Sequence, residues 1–182
     1  MELEKLISDC LANDRQAQKT FYMLTSDRLM NISRRYANNI DDAKDILQNA
    51  YISIFKNLKT FDFNKGELDS WLTKITINEA LQLLRRKSKF SIKDKLGSKE
   101  QFNQLSTPEA INRLNAEDIL GLVHKLPDGY KMIFNLKVVE GYSHKEIAAV
   151  LKITESTSRS QLTRAKRMLQ ALLIEQKKAE LC

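Results

Sequence analysis

Residues 154–166 read TESTSRSQLTRAK. Hydroxyl side chains crowd the start of this stretch, positive charge collects toward its end, and apolar residues flank it on both sides. Thr154 is placed to cap a helix, with Thr157 in the third helical position. Along that helix Leu162, Ala165, Leu169 and Leu172 fall on one stripe at helical spacing, which predicts a buried face. Ser156, Thr157, Ser160, Thr163, Arg164 and Arg167 project the other way, with Arg159 at the flank. Just upstream, GYSHKEIAAVLKIT (141–154) carries the capping box Ser143-x-x-Glu146, which satisfies two free amides at a helix start. A short helix with Ile147, Ala148 and Leu151 inside then ends at Lys152-Ile153. Two helices joined by a three-residue turn make a helix-turn-helix. Small hydroxyl side chains let the second helix sit deep in a major groove, where arginines reach guanine edges or phosphates. The expected ligand of this segment is duplex DNA.

The composition points to helices throughout. Five Gly and two Pro in 182 residues are few for a β-rich chain, and 42% hydrophobic residues suffice for a real core. The fold class expected is all-α. The apolar runs are too short to span a membrane, so no membrane insertion is expected. The amino-terminal MELEKLISDCLANDR is acidic and amphipathic, unlike a signal peptide. Cys10 and Cys182 have no partner spacing, so neither a disulfide framework nor a zinc site is expected, and a cytoplasmic setting fits. His124 and His144 are isolated outside any metal-ligand pattern, which leaves them solvent-facing or satisfied-polar roles. No metal or cofactor is expected.

The net charge of +7 is unevenly placed. Trp71–Lys95 holds seven basic and two acidic residues, and so does Lys152–Lys178. The remainder is therefore slightly acidic, and two separate basic segments suit a two-point contact with a polyanion. Residues 1–87 read as a helical domain. Residues 88–112, with Gly97, Pro108 and many polar side chains, read as a flexible linker. From Arg113 helical periodicity returns and holds to about Ile174, giving a second domain over 113–182. No internal repeat is visible.

Two helices of the first domain present distinctive faces. In DDAKDILQNAYISIFKNLKT (41–60), Ala43, Ile46, Leu47, Ala50, Tyr51, Ile54, Phe55 and Leu58 follow one buried stripe. The far side carries Asp45, Gln48, Asn49, Ile52 and Lys56. An isoleucine inside a polar face fits either an ordinary surface residue or the apolar centre of a partner-binding face. In LDSWLTKITINEALQLLRRKSK (68–89), Lys74, Asn78, Gln82, Arg85 and Lys89 share one side, and Arg86 adds charge nearby. Leu72, Ile75 and Leu83 lie on a second side, with Ile77, Leu81 and Leu84 on a third. A helix wedged between neighbours with one basic stripe open suits a nucleic-acid groove. Trp71, Phe61 and Phe63 beside this stripe fit either packing or stacking on unpaired bases, with core expected for Trp71 and both readings open for the two phenylalanines.

With these blocks in hand, the chain resembles the extracytoplasmic-function (ECF) sigma factors of bacterial RNA polymerase. DDAKDILQNAYISIFKNLKTF followed by SWLTKITINEALQLLRRK looks like region two of that family, with its acidic D-A-x-D segment and W-L-x-x-I-x-x-N block. LPDGYKMIFNLKVVEGYSHKEIAAVLKITESTSRSQLTRAKRML (126–169) is similar to region four. The departures are Asn49 for the usual acidic residue after Gln48, Gln82 at a usual Asp position, Ser158 at a usual apolar position, and Lys152 in a turn where Gly is frequent. The resemblance implies that Asp45, Gln48, Asn49, Ile52 and Lys56 dock on bacterial core RNA polymerase. It implies that Phe61, Phe63, Lys74, Asn78, Arg85, Arg86 and Lys89 hold the melted −10 strand of promoter DNA. It further implies that Ser156, Thr157, Arg159, Ser160, Thr163, Arg164 and Arg167 read the −35 element, and that an anti-sigma factor is a partner.

Other classes explain less. A helix-turn-helix regulator that is no polymerase subunit leaves the basic stripe of the first domain unused. A structural or RNA-binding helical protein leaves the helix-turn-helix unexplained. An enzyme is not expected, because no Gly-rich phosphate loop, metal cluster or nucleophile–base set is present in the sequence.

Overall fold

Asp14 opens the first long helix: its carboxylate accepts hydrogen bonds from the backbone amides of Gln16 at 2.7 Å and Ala17 at 2.9 Å. That cap separates α1 (Glu2–Leu11) from α2 (Arg15–Tyr36). Asn39 opens α3 (Ile40–Asn57) in the same way, accepting from the Asp42 amide at 2.8 Å. A 3-10 turn (Leu58–Thr60) ends α3, and α4 (Leu68–Lys87) completes the N-terminal half. The computed structural model describes residues 2–87 and 116–180. The chain divides into two compact units, Met1–Phe90 and Ser91–Cys182. The linker expected over 88–112 lies outside the described residues, as does Lys89.

In the first unit α2, α3 and α4 pack on one another, and α1 packs on α2. The stripe expected along 41–60 is the one that is buried: Ala43, Ile46, Leu47, Ala50, Tyr51, Ile54 and Leu58 are inside, and Phe55 is half-buried. Phe21, Leu29, Ile32 and Tyr36 of α2 and Leu72, Ile77 and Leu81 of α4 are buried as well, and the three helices pack on one another around these side chains. Polar ties fix the helices at its edge. Ser53 donates to Glu79 at 2.7 Å across α3 and α4, and Arg28 pairs with Asp69 while donating to Thr73 at 3.1 Å across α2 and α4.

α4 corrects the expectation of two separate apolar sides. Its buried residues form one continuous arc through Leu72, Thr76, Ala80, Ile77, Leu84 and Leu81, while Ile75 and Leu83 are only half-buried. Thr76 bridges the arc because its hydroxyl donates to the Leu72 carbonyl at 2.9 Å, so the polar group is satisfied within the helix. The helix thus packs across one broad arc against both α2 and α3, wedged between these neighbours as expected, with the Lys74–Arg85 stripe left open.

The second unit contains α5 (Ala116–His124), α6 (Asp128–Phe134) running into a π-helical turn (Asn135–Val139), α7 (His144–Leu151) and α8 (Glu155–Glu180). Leu122, Val123, Leu126, Ala165 and Leu169 form one buried cluster, with Tyr130, Phe134, Met168, Leu172 and Leu173 packed against it. Gly141, at φ +76°, makes the left-handed bend between the π turn and the Ser143 cap. α8 continues past Ile174 to Glu180. Its tail, EQKKAE, has high helix propensity but no apolar stripe, so periodicity alone ends too early there. Among the described residues no strand is found, no helix is long and apolar enough to cross a membrane, and no cluster of His, Cys, Asp and Glu is suited to a metal ion.

Candidate nucleic-acid and partner interfaces

Asp45, Gln48 and Lys56 are exposed on α3, and Asn49 is half-buried beside them. Ile52 is 59% exposed in their midst. Its neighbours in sequence do the packing: Tyr51 is buried, and its hydroxyl lies 2.7 Å from that of Thr25. Burial raises the Tyr51 pKa, with the Thr25 hydrogen bond opposing and Tyr22 and Asp27 adding smaller effects, so the phenol stays neutral. The helix is thereby locked by its inner side, and Ile52 is left outside a rigid support.

The second surface runs along α4. Lys74, Asn78, Gln82 and Arg85 are exposed on one stripe, and Arg86 is exposed at its flank. At the head of the stripe Phe61 sits 4.8 Å from Phe63 and 5.4 Å from Trp71, centroid to centroid. Trp71 corrects the expectation of a core tryptophan. It is half-buried, in line with Lys74 and Asn78 three and seven positions later, and it backs Phe61 rather than filling the interior. Phe63 stays 41% exposed. The loop carrying both phenylalanines is shaped by Asp62, whose carboxylate accepts from the Asn64 amide at 2.9 Å and pairs with Lys65 at 3.3 Å. These contacts, the Asn64 amide first, lower the Asp62 pKa. An ionised Asp62 therefore holds an aromatic ledge beside a cationic stripe, a combination that stacks bases and follows a phosphate chain.

The third surface is the helix-turn-helix. Both halves of the Ser143–Glu146 capping box form, with the Ser143 amide donating to Glu146 at 2.8 Å and the Glu146 amide to Ser143 at 3.2 Å. Ile147 and Leu151 are buried and Ala148 is half-buried. Lys152 takes φ +56°, the left-handed conformation that makes glycine common at such a turn. Thr154 then caps α8, accepting from the Thr157 amide at 3.0 Å. Ser156, Arg159, Ser160, Thr163, Arg164 and Arg167 are exposed on the outer face. Thr157 is half-buried, and its hydroxyl is 2.8 Å from that of Thr154, so it serves the cap first. The Ser160 and Thr163 hydroxyls donate to backbone carbonyls of Thr157 and Arg159, which leaves their oxygens facing outward as acceptors.

The inner face of α8 is more polar than periodicity suggests. Ala165 and Leu169 are buried, but Leu162 and Leu172 are only half-buried, while Ser158 and Gln161 are almost wholly inside. Ser158 Oγ lies 2.9 Å from Nδ1 of His144, so the first helix of the motif is tied to the second by a side-chain hydrogen bond. The satisfied-polar role expected for His144 is the one it plays. Desolvation lowers the His144 pKa, Arg159 and Lys137 lower it further, and Glu155 opposes them, so the ring is neutral at pH 7. The spacing does reveal this pair in part: Ser158 precedes Leu162 and Ala165 by four and seven positions, on the buried stripe. Glu155, which accepts from Arg159 at 2.7 Å, carries no signal of its own beyond its i, i+4 spacing.

Two family models match the chain: sigma-70 region 2 over residues 21–90 and sigma-70 region 4 over residues 116–169. The chain is 25% identical to the ECF RNA polymerase sigma factor SigW of Bacillus subtilis, across 95% of this chain and 97% of that one. It is 28% identical to the ECF RNA polymerase sigma factor SigE of Mycolicibacterium smegmatis, across 81% of this chain but only 58% of that longer one. Among solved structures, the fold is similar to the sigma factor RpoE from Bartonella quintana in complex with the anti-sigma factor NepR. The TM-score is 0.53 at 21% identity, covering 85% of this chain and 95% of that one. It is also similar to CnrH in complex with the cytosolic domain of CnrY, at a TM-score of 0.50 and 22% identity, covering 93% and 96%.

Proposed function

The chain belongs to the sigma-70 family, as an RNA polymerase sigma factor of the ECF type, and from that premise we propose that its three exposed surfaces divide the work of starting transcription. The α3 face of Asp45, Gln48, Asn49, Ile52 and Lys56 seats on bacterial core RNA polymerase. The Lys74–Lys89 stripe, with Phe61, Phe63, Arg85 and Arg86, captures the melted −10 strand. The outer face of α8 reads the −35 element as duplex through Ser156, Thr157, Arg159, Ser160, Thr163, Arg164 and Arg167. The domains serving these steps are 1–87 and 113–182, with 88–112 spanning the distance between the two elements.

No chemistry of its own is required of this protein. It lends specificity to the polymerase and pays for strand opening: duplex stacking is worth about 1.4 kcal/mol per step. Each base stacked on an aromatic side chain returns about 1–3 kcal/mol. A few bases held by Phe61 and Phe63, with phosphates on Lys74 and Arg85, therefore offset the opening of a short bubble. Polymerase and promoter are cytoplasmic, which sets the proposed location. Because the two solved structures named above are complexes with a second protein, an anti-sigma factor in one of them, an anti-sigma factor is the proposed regulator of this chain as well.

The observation that carries the proposal is the difference between the two DNA-facing surfaces. An aromatic ledge beside a cationic stripe suits unpaired bases, whereas a hydroxyl-and-arginine helix suits a major groove. A regulator that only binds duplex needs the second alone. Permanganate footprinting of the holoenzyme tests the assignment. Asn78→Ala, and Lys74→Ala combined with Arg85→Ala, should leave closed-complex formation nearly intact and diminish thymine reactivity at −10. A pre-melted −10 bubble should restore much of the lost initiation; equal losses on duplex and bubble templates would remove the strand-capture role.

A further inference from the structure

One acidic side chain stands on the α8 face proposed to meet DNA. Between Glu146 and Glu175 the sequence has no carboxylate except Glu155, the first residue of α8. A carboxylate there suits the positive end of the helix but repels phosphate, so it weakens any purely electrostatic grip on DNA. Its Oε2 accepts from Nη2 of Arg159 at 2.7 Å, and both side chains remain substantially exposed, 44% for Glu155 and 62% for Arg159. Exposed pairs of this spacing contribute little to helix stability. The pair's consequence is geometric: it restricts a long, flexible cation to one direction at the leading edge of the helix.

We propose that Glu155 is a specificity-determining residue, which positions Arg159 for base contact in the duplex element and keeps it off the phosphate backbone. The inference rests on the reading of α8 as the duplex-reading helix. A guanidinium has five N–H donors, so one engaged by Glu155 leaves a two-donor edge for the O6 and N7 of a guanine. Arg159 without its carboxylate partner would be free to swing to the nearest phosphate, a contact that carries no sequence information. Glu155 therefore trades affinity for discrimination. It lowers binding to all DNA by its charge and lowers it least where Arg159 finds its base.

This trade has a signature that a helix-capping carboxylate lacks. Full-length wild type, Glu155→Gln, Glu155→Asp, Arg159→Ala and the Glu155→Gln, Arg159→Ala double variant, each assembled with core polymerase, would be selected against a duplex library randomised across the −35 element. Arg159→Ala should flatten one position by about tenfold or more. Glu155→Gln should flatten that same position while tightening binding to non-preferred sequences severalfold. In the double variant the second substitution should flatten nothing further. Glu155→Asp keeps the charge but shortens the reach, so it should lose discrimination without the gain in affinity. Circular dichroism melts would check that each variant folds. If Arg159→Ala flattens a position and Glu155→Gln leaves it sharp, the positioning role is overturned while the duplex reading stands. If neither substitution changes the selected sequence, Arg159 reads no base, and both the inference and Arg159's place in the reading surface fall.

Discussion

Ile52→Asp tests the proposed polymerase-binding face with a change that the isolated fold should barely notice. Ile52 is 59% exposed, and the packing of α3 is carried by Ile46, Ala50 and Ile54 on the opposite side, each fully buried. A surface substitution of this kind shifts stability by about 0.5 kcal/mol or less. At an interface the same site is costly. Fully burying an isoleucine is worth about 1.5–3 kcal/mol, and somewhat over half of this side chain remains available to be covered. Removing it should thus cost about 1–2 kcal/mol. A carboxylate left without a partner at the dry centre adds several more. The expected total, at least about 4 kcal/mol, weakens binding roughly a thousandfold. Titration of labelled protein with core polymerase measures the affinity, and a thermal melt followed by circular dichroism checks the fold. Ile52→Ala should fall between, at about five- to thirtyfold. An Ile52→Asp protein that melts normally and binds core as wild type does would show that this face is ordinary surface.

Three further outcomes follow from named contacts. Phe63→Ala should reduce holoenzyme affinity for a single-stranded −10 oligonucleotide by about 1–3 kcal/mol, with a small loss of stability because Phe63 is 41% exposed; an unchanged affinity would assign the ring to loop packing alone. Lys152→Gly should stabilise the C-terminal unit by about 0.5–1 kcal/mol, since a left-handed lysine at φ +56° is replaced by the residue that adopts this conformation freely; a lower melting temperature would argue against strain at the turn. The neutral His144 ring should make that unit sensitive to acid: with its folded-state pKa lowered by desolvation, then Arg159 and Lys137, stability is complete above the ordinary histidine value of about 6.5 and declines as pH falls through the interval down to the folded value. His124 is shifted the same way by burial and Lys131, so the quantity to compare is the melting difference between wild type and His144→Asn, which should narrow on acidification; a constant difference would exclude the mechanism.

Much of this was legible in the sequence because the decisive signals are local. The capping box at Ser143 and Glu146, the Thr154 cap and the apolar period of residues 41–60 each arise within a few residues, and the structure realises all of them. What periodicity could not supply was which polar residues are tolerated inside. Thr76 is buried because it bonds its own helix, and Ser158 because a histidine fourteen residues away meets it. Residue polarity alone marks both as surface, although helical spacing sets Ser158 on the buried stripe. The aromatics Phe61, Phe63 and Trp71 were legible beside the basic stripe, but their packing on one another was not. They come from a loop and a helix, and only the fold, with Asp62 shaping the loop, brings their rings together. Roles at the DNA and polymerase surfaces rest on exposure, charge and resemblance combined, since exposed side chains leave no periodic trace of what they bind.

Reconstituted transcription tests the assignment as a sigma factor most directly. Purified full-length chain, added to bacterial core RNA polymerase and a library of promoter fragments, should cause initiation at a discrete subset that shares one −35 and one −10 sequence. Core enzyme alone should start at none of them. Initiation should disappear with Ile52→Asp and shift its preferred −35 sequence with Arg164→Ala. A chain that binds duplex DNA but neither associates with core polymerase nor directs initiation would contradict the account, and would leave a DNA-binding regulator in its place.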